Sequence, residues 1–155
     1  MFKPSFNTIA MIVFCALAAT SASAQIAFPT NCARNYTVQD GDFCDKISAN
    51  EKASTYQLAT ANAGIIDPAC DNLFVGETRY SPYLKLEQVI CLGLTGHDCD
   101  TVHVVANGDG CPDIATAAGI SLADLLANNP NINADCSNIY IGEVLCVAPV
   151  ASSSR

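Results

Sequence analysis

The sequence predicts an α+β fold of two tandem strand–helix–helix–strand modules, each stapled by disulfides. Eight of the nine cysteines divide into two sets of four, Cys32, Cys44, Cys70, Cys91 and Cys99, Cys111, Cys136, Cys146, with gaps of 12, 26, 21 and 12, 25, 10. Laid on those anchors, the chain between them repeats. Tyr36-Thr37-Val38 falls on His103-Val104-Val105, Gly41-Asp42 on Gly108-Asp109, Ile47 on Ile114, Ser54 on Ser121, Leu58 on Leu125 and Asn62 on Asn129. Asn72-Leu73-Phe74-Val75-Gly76-Glu77 likewise falls on Asn138-Ile139-Tyr140-Ile141-Gly142-Glu143, so each copy is one fold unit. Turn and cap signals then divide each copy into the same four elements.

The elements read most clearly in the second copy. Residues 102–105 are β-rich and stop at Asn107-Gly108-Asp109-Gly110, a turn-forming cluster. Cys111-Pro112-Asp113-Ile114-Ala115 suits a helix start, with Asp109 or Gly110 near the N-cap, Pro112 in the first turn and Gly119 past the end. Ser121 opens a second helix with Asp124 at the third position after it, a variant of the capping box. Leu122, Leu125 and Leu126 form its apolar stripe and Pro130 ends it. Ser54 with Gln57 repeats the cap in the first copy, and Val89-Ile90 and Val144-Leu145 supply closing strands. The third cysteine gap is the longer one in the first copy, which places an insertion at 78–88 in that copy only.

Residues 1–24 read as a secretory signal. Lys3 supplies the positive start, residues 9–19 an apolar core, and Ala22-Ser23-Ala24 a small-x-small cleavage pattern. That core is too short for a bilayer, which needs about 20 apolar residues. Cleavage before Gln25 removes Lys3 and Cys15 and leaves a mature chain with eight cysteines. An even count in an oxidising compartment points to disulfides. Zinc is the competing reading, but no close C-x₂₋₄-C pair occurs, and no metal is expected. Two bridges within each copy are expected, each typically stabilising by about 2 to 4 kcal/mol, while four cysteines leave three pairings open. The expected organisation is signal 1–24, module 32–92 with its insertion, linker 93–98, module 99–148 and a flexible tail 149–155. The short linker makes the modules close neighbours with some freedom.

Composition narrows function. The chain is 14 % charged and carries −8 with seven Lys and Arg, which excludes a basic nucleic-acid footprint and disfavours adhesion to anionic membranes. Two His and no Trp leave little for general-base or metal chemistry. A glycosidase needs two carboxylates across one bond. Here Asp42, Glu77, Asp109 and Glu143 recur by duplication, which marks paired structural roles, and no nucleophile motif accompanies His97 and His103. His103 matches Tyr36, an aromatic-like strand position. The reading is of a protein that is not an enzyme and needs no cofactor.

Tyr36-Thr37-Val38-x-x-Gly41-Asp42, Ile47, the Ser54 and Ser121 helix starts, Asn128-Asn129-Pro130-Asn131-Ile132 and Tyr140-Ile141-Gly142-Glu143 resemble the LysM module. With the cysteines and the signal, the chain resembles the small secreted LysM effectors of fungi over about residues 32–148. The resemblance implies a two-stranded antiparallel sheet with two helices on one face, and binding of chitin or N-acetylglucosamine oligomers. It also implies a role in virulence, sequestering chitin fragments or shielding the wall from host recognition and chitinases. Extracellular or wall-associated localisation follows, with no nucleic-acid or membrane partner.

In that family the ligand lies between the loop after strand one and the loop after helix two. The resemblance places it at Gly108, Asp109, Gly110, Cys111 with Asn129, Pro130, Asn131, Ile132, and at Gly41, Asp42, Phe43, Cys44 with Asn62, Ala63, Gly64, Ile65. The chemistry fits a neutral sugar chain. A turn feeding a helix start leaves backbone N–H groups free, Gly110 permits close approach, asparagine amides add donors and acceptors, and Ile132 offers an apolar face. The first copy departs from the pattern at Phe43 and at Ala63-Gly64, so the second is expected to bind better. Asn35-Tyr36-Thr37 is a glycosylation sequon at a strand start, where partial exposure is expected. The alternative function is a structural wall-associated or protein-interaction module without free chitin affinity, or a peptidoglycan binder. Whether the modules share one ligand, bind two, or dimerise through a bridging chitin chain stays open at this level.

Overall fold

The computed structural model describes residues 28–67, 70–73 and 88–149. The expected signal at 1–24, residues 74–77, the insertion apart from Gln88, and residues 150–155 lie outside them. The first module runs β1 (Cys32–Thr37), α1 (Cys44–Glu51), α2 (Thr55–Ala61) and β2 (Val89–Leu94). The second runs β3 (Val102–Val104), α3 (Cys111–Ala118), α4 (Leu122–Asn128) and β4 (Val144–Cys146). In each, the two strands pair antiparallel as a two-stranded sheet.

The caps explain where the helices begin. Gly110 and Phe43 hold the equivalent N-cap positions of α3 and α1 in extended conformation, and Pro112 sits in the first turn of α3. Ser121 caps α4 with the full reciprocal box to Asp124, and Ser54 caps α2 through the Gln57 amide. Gly119 ends α3 at φ +71°, a left-handed conformation that glycine adopts without a Cβ clash. Leu125 is buried on α4, but Leu122 is 38 % exposed. As the first residue of a short, two-turn helix, Leu122 lies at the rim of the core rather than over it.

Each module has its own core. Val38, Ile47, Leu58, Ile66, Ile90 and Leu92 close the first; Val105, Ile114, Leu125, Ile132, Leu145 and Val147 close the second. Disulfides join Cys32 to Cys91, Cys44 to Cys70, Cys99 to Cys146 and Cys111 to Cys136, outer with outer and inner with inner, all within a module. The outer pair ties the start of each module to its closing strand, and the inner pair ties the first helix to the loop after the second.

The modules are docked, not loosely strung. β2 continues through Gly93 and Leu94, two residues of the expected linker, because they pair with Arg34 and Cys32 on β1. Arg34 forms a two-pronged bond to Asp98 (2.7 and 2.8 Å) and donates to the Glu51 and Lys52 carbonyls at the end of α1. Gln57 on α2 donates to Leu92 O and Asp98 and accepts from the Cys99 amide (2.8 Å). β4 packs against α1 and α2. A Cβ on Gly93 would run into the Asp98 and Gln57 side chains, both held in this network. Gly93→Ala is therefore expected to destabilise by about 1 to 3 kcal/mol, read as a lower thermal midpoint. An unchanged midpoint would mean that the Asp98–Gln57 contact yields freely.

Candidate functional site

In each module the loop after strand one meets the loop after helix two at the start of the first helix. The inner cystines hold them together, with Cα atoms 6.0 Å apart in both Cys44–Cys70 and Cys111–Cys136. Gly108 and Gly41 turn the first loop at φ +89° and +78°, where any side chain would be strained. The aspartate that follows locks it. Asp109 Oδ2 accepts from the Ala106 amide (2.8 Å) and lies 2.7 Å from His103 Nε2. Asp42 Oδ2 accepts from the Gln39 amide and from the Tyr36 hydroxyl, both at 2.8 Å.

Protonation follows from these bonds. Hydrogen bonds from the Ala106 amide and His103 hold the Asp109 carboxyl below its usual range. Burial pushes Asp42 up, but the Gln39 amide, the Tyr36 hydroxyl and Lys46 outweigh it and hold it low. The same bond to Asp42, aided by burial, pushes the Tyr36 phenol up to about 12. These aspartates are ionised structural acceptors.

No side chain caps α3 or α1; in α3 the Asp113 amide turns back to Gly110 O (3.0 Å) and Pro112 has no N–H, which leaves the Cys111 amide as the first-turn donor without a helical partner. In the first module the Cys44 amide instead donates to Cys70 Sγ (3.0 Å). Among the described residues no such bond engages the Cys111 amide. Phe43 stands 55 % exposed over the first helix start, where the second module has only Gly110.

The second loop is braced by an asparagine absent from the expected site. Asn138 accepts from the Asn133 amide (2.7 Å) and donates to Asn131 O (2.7 Å). Asn72 does the same with Asp67 (3.0 Å) and Ile65 (2.9 Å). The repeat alignment pairs Asn72 with Asn138, a signal that was available. Asn131 is exposed and donates to Glu143 Oε1 (2.7 Å), whose other oxygen accepts from the Tyr140 amide (3.3 Å). Glu143 is only 2 % exposed; burial raises its pKa against those two donors, and Asp45 adds in the same direction.

Gly108, Asp109, Gly110, Asn131, Gly41, Asp42, Phe43, Ala63, Gly64 and Ile65 lie at or near the surface of the paired loops. Other expected contacts point inward. Asn129 is fully buried, its Nδ2 donating to Leu125 O and Cys146 O and its Oδ1 accepting from the Cys146 amide. Asn62 repeats this with Leu58 and Cys91. Both clamp the second helix to the closing strand, so neither has an amide left for a ligand. Ile132 is 7 % exposed and packs in the core beside buried Cys111, so it supports the loop from beneath. Pro130 faces elsewhere. It lines a cleft of about 670 Å³ at the module junction, with Tyr56, His97 and Asn128. Asn35 is exposed on β1.

Among the described residues, no cluster of His, Cys, Asp and Glu suits a metal, and no helix is long and apolar enough to cross a membrane. A duplicated, cystine-stapled strand–helix–helix–strand unit with paired surface loops defines the class. The chain belongs to the LysM family: the model of the LysM domain matches residues 36–78 and 103–148.

Its relatives include "Non-secreted LysM effector LCP1" of Gibberella moniliformis, 34 % identical over 81 % of this chain and 15 % of that protein. "Secreted LysM effector LysM1" of Trichophyton rubrum is 30 % identical over 76 % of this chain and 51 % of its own length. "Secreted LysM effector ldpA" of Aspergillus fumigatus is 28 % identical, with 79 % and 37 % covered. The chain thus spans about half or less of each of these relatives.

Proposed function

We propose that the chain is a secreted, non-catalytic protein that binds chitin or N-acetylglucosamine oligomers, with the second module as the principal site. In this reading it acts as an effector, sequestering chitin fragments or shielding a fungal wall from host recognition and chitinases. The observation that carries the reading is the paired-loop construction. Two loops fixed by a cystine, an aspartate lock and an asparagine brace present the Cys111 amide beside Gly110, which adds no side chain over it. Such a surface suits the acetamide groups of a neutral polymer, because rigid backbone donors need no reordering on binding. The carboxylates around it are engaged in holding loops, which supports a binding rather than a hydrolytic role.

Partition of the purified protein onto insoluble chitin, cellulose and peptidoglycan tests this. Retention on chitin alone is expected, and retention on none would favour a structural role. Because ligand and donors are uncharged, affinity for chitotetraose should change by less than about threefold between low and high salt. Titration calorimetry at two ionic strengths reads it, and a loss of about tenfold or more would contradict the mechanism.

A further inference from the structure

The turn that carries Glu143 belongs to the second module but is clamped at both ends by the first. At its start the Tyr140 hydroxyl donates to Asp45 Oδ1 on α1 (3.2 Å). At its end the Val144 amide donates to Thr55 Oγ1 at the start of α2 (3.0 Å). Thr55 in turn donates to the same Asp45 Oδ1 (3.0 Å), so the two clamps form one unit. Between them the turn closes on itself through the Glu143 amide and Tyr140 O (3.0 Å). Inside, the Tyr140 amide and the Asn131 side chain share the buried Glu143 carboxylate. Unbroken contacts therefore run from α1 of the first module to an exposed amide in the ligand loop of the second.

We propose that Tyr140 is a positioning residue through which docking of the first module, at Asp45, fixes Glu143 and so orients Asn131 in the second module's ligand loop. The physical reason is burial. A carboxylate shut away from water takes its position from protein donors alone, so moving the turn moves the Asn131 amide with it. Burial and the Asp45 carboxylate push the Tyr140 phenol up to about 12, which keeps it a donor at any physiological pH. The role in binding rests on the chitin reading; the coupling between modules does not.

The test uses the full chain. Tyr140→Phe removes one hydroxyl from a half-exposed ring and should weaken chitotetraose binding about threefold to tenfold. Asp45→Ala should do the same, and the double variant should lose no more than either alone. Asp45→Asn, which keeps the acceptor, should bind within about twofold of the unaltered chain. Hydrogen exchange of the Asn131 side-chain amide, followed by NMR without ligand, should quicken in Tyr140→Phe and Asp45→Ala while the Leu145 backbone amide keeps its protection. Unchanged Asn131 exchange, or losses that add in the double variant, would overturn the proposal. If the unaltered chain fails to bind chitotetraose, the functional reading falls, and the exchange comparison still decides the coupling.

Discussion

Gly110→Phe is expected to cost the second module most of its affinity for chitin oligomers while leaving the fold intact. The first module has already made this change. Phe43 occupies the same N-cap position at φ −145° and ψ 161°, against −132° and 150° for Gly110, and α1 forms as well as α3. A Cβ on Gly110 would meet Asp113 Oδ2 at 3.7 Å and Pro112 Cδ at 3.8 Å, ordinary contacts. Stability should therefore hold or rise by about 0.4 to 1 kcal/mol, since the unfolded chain loses freedom. Binding is another matter. A phenyl ring over the first turn stands where, in the proposed reading, a sugar acetamide approaches the Cys111 amide, and losing such contacts is worth about 1 to 3 kcal/mol, or about 10-fold to 200-fold. Phe43→Gly should strengthen the first site by a smaller factor, because Gly64 still stands there in place of Asn131 and offers no side-chain amide. Calorimetry with chitotetraose measures both variants, with circular dichroism as the folding control. Full affinity in folded Gly110→Phe would mean that the ligand does not approach this loop.

Gly110 illustrates what a sequence makes legible. A residue with no side chain between a turn and a helix start has a local meaning, and duplication doubles every such signal. The helix starts at Ser54 and Ser121, the closing strands, the pairing of cysteines inside each copy and the equivalence of Tyr36 with His103 are all local or repeated features, and each is found in the structure. Direction is not local. Asn129 and Asn131 are near neighbours in one polar loop, yet one is sealed beneath it and the other stands on its surface. The chain writes both as asparagine, and only the position of β4, well further along the chain, decides which amide finds a backbone partner. Leu122 shows the same limit: spacing puts it on the apolar stripe, but a two-turn helix brings only its middle over the core. Module docking left no pattern at all, because Asp45, Thr55 and Tyr140 meet once, and a contact made once has no second copy to reveal it.

Asn129→Ala is expected to destabilise the protein by about 2 to 6 kcal/mol, a large part of the roughly 5 to 15 kcal/mol that holds a domain folded. The amide serves three backbone groups at 2.8 to 2.9 Å in a fully buried position. Leu125 O would keep the Asn129 backbone amide as a donor (3.2 Å). The Cys146 amide and carbonyl would lose their side-chain partner, on the edge of β4 facing away from β3, and each unpaired buried group costs about 1 to 3 kcal/mol. Asn129→Asp should be no milder, since a carboxylate retains the acceptor for the Cys146 amide but opposes the Cys146 carbonyl with a second oxygen. Asn62→Ala should behave alike in the first module, where Cys91 takes the place of Cys146. Denaturant unfolding with the disulfides intact gives the free energy, and calorimetry well below the transition gives the affinity of the folded fraction. That affinity should stay within about threefold of the unaltered chain, because Asn129 lies under the proposed ligand loop and not in it. A variant of full stability that no longer binds chitin would reverse the assignment and return Asn129 to the ligand surface.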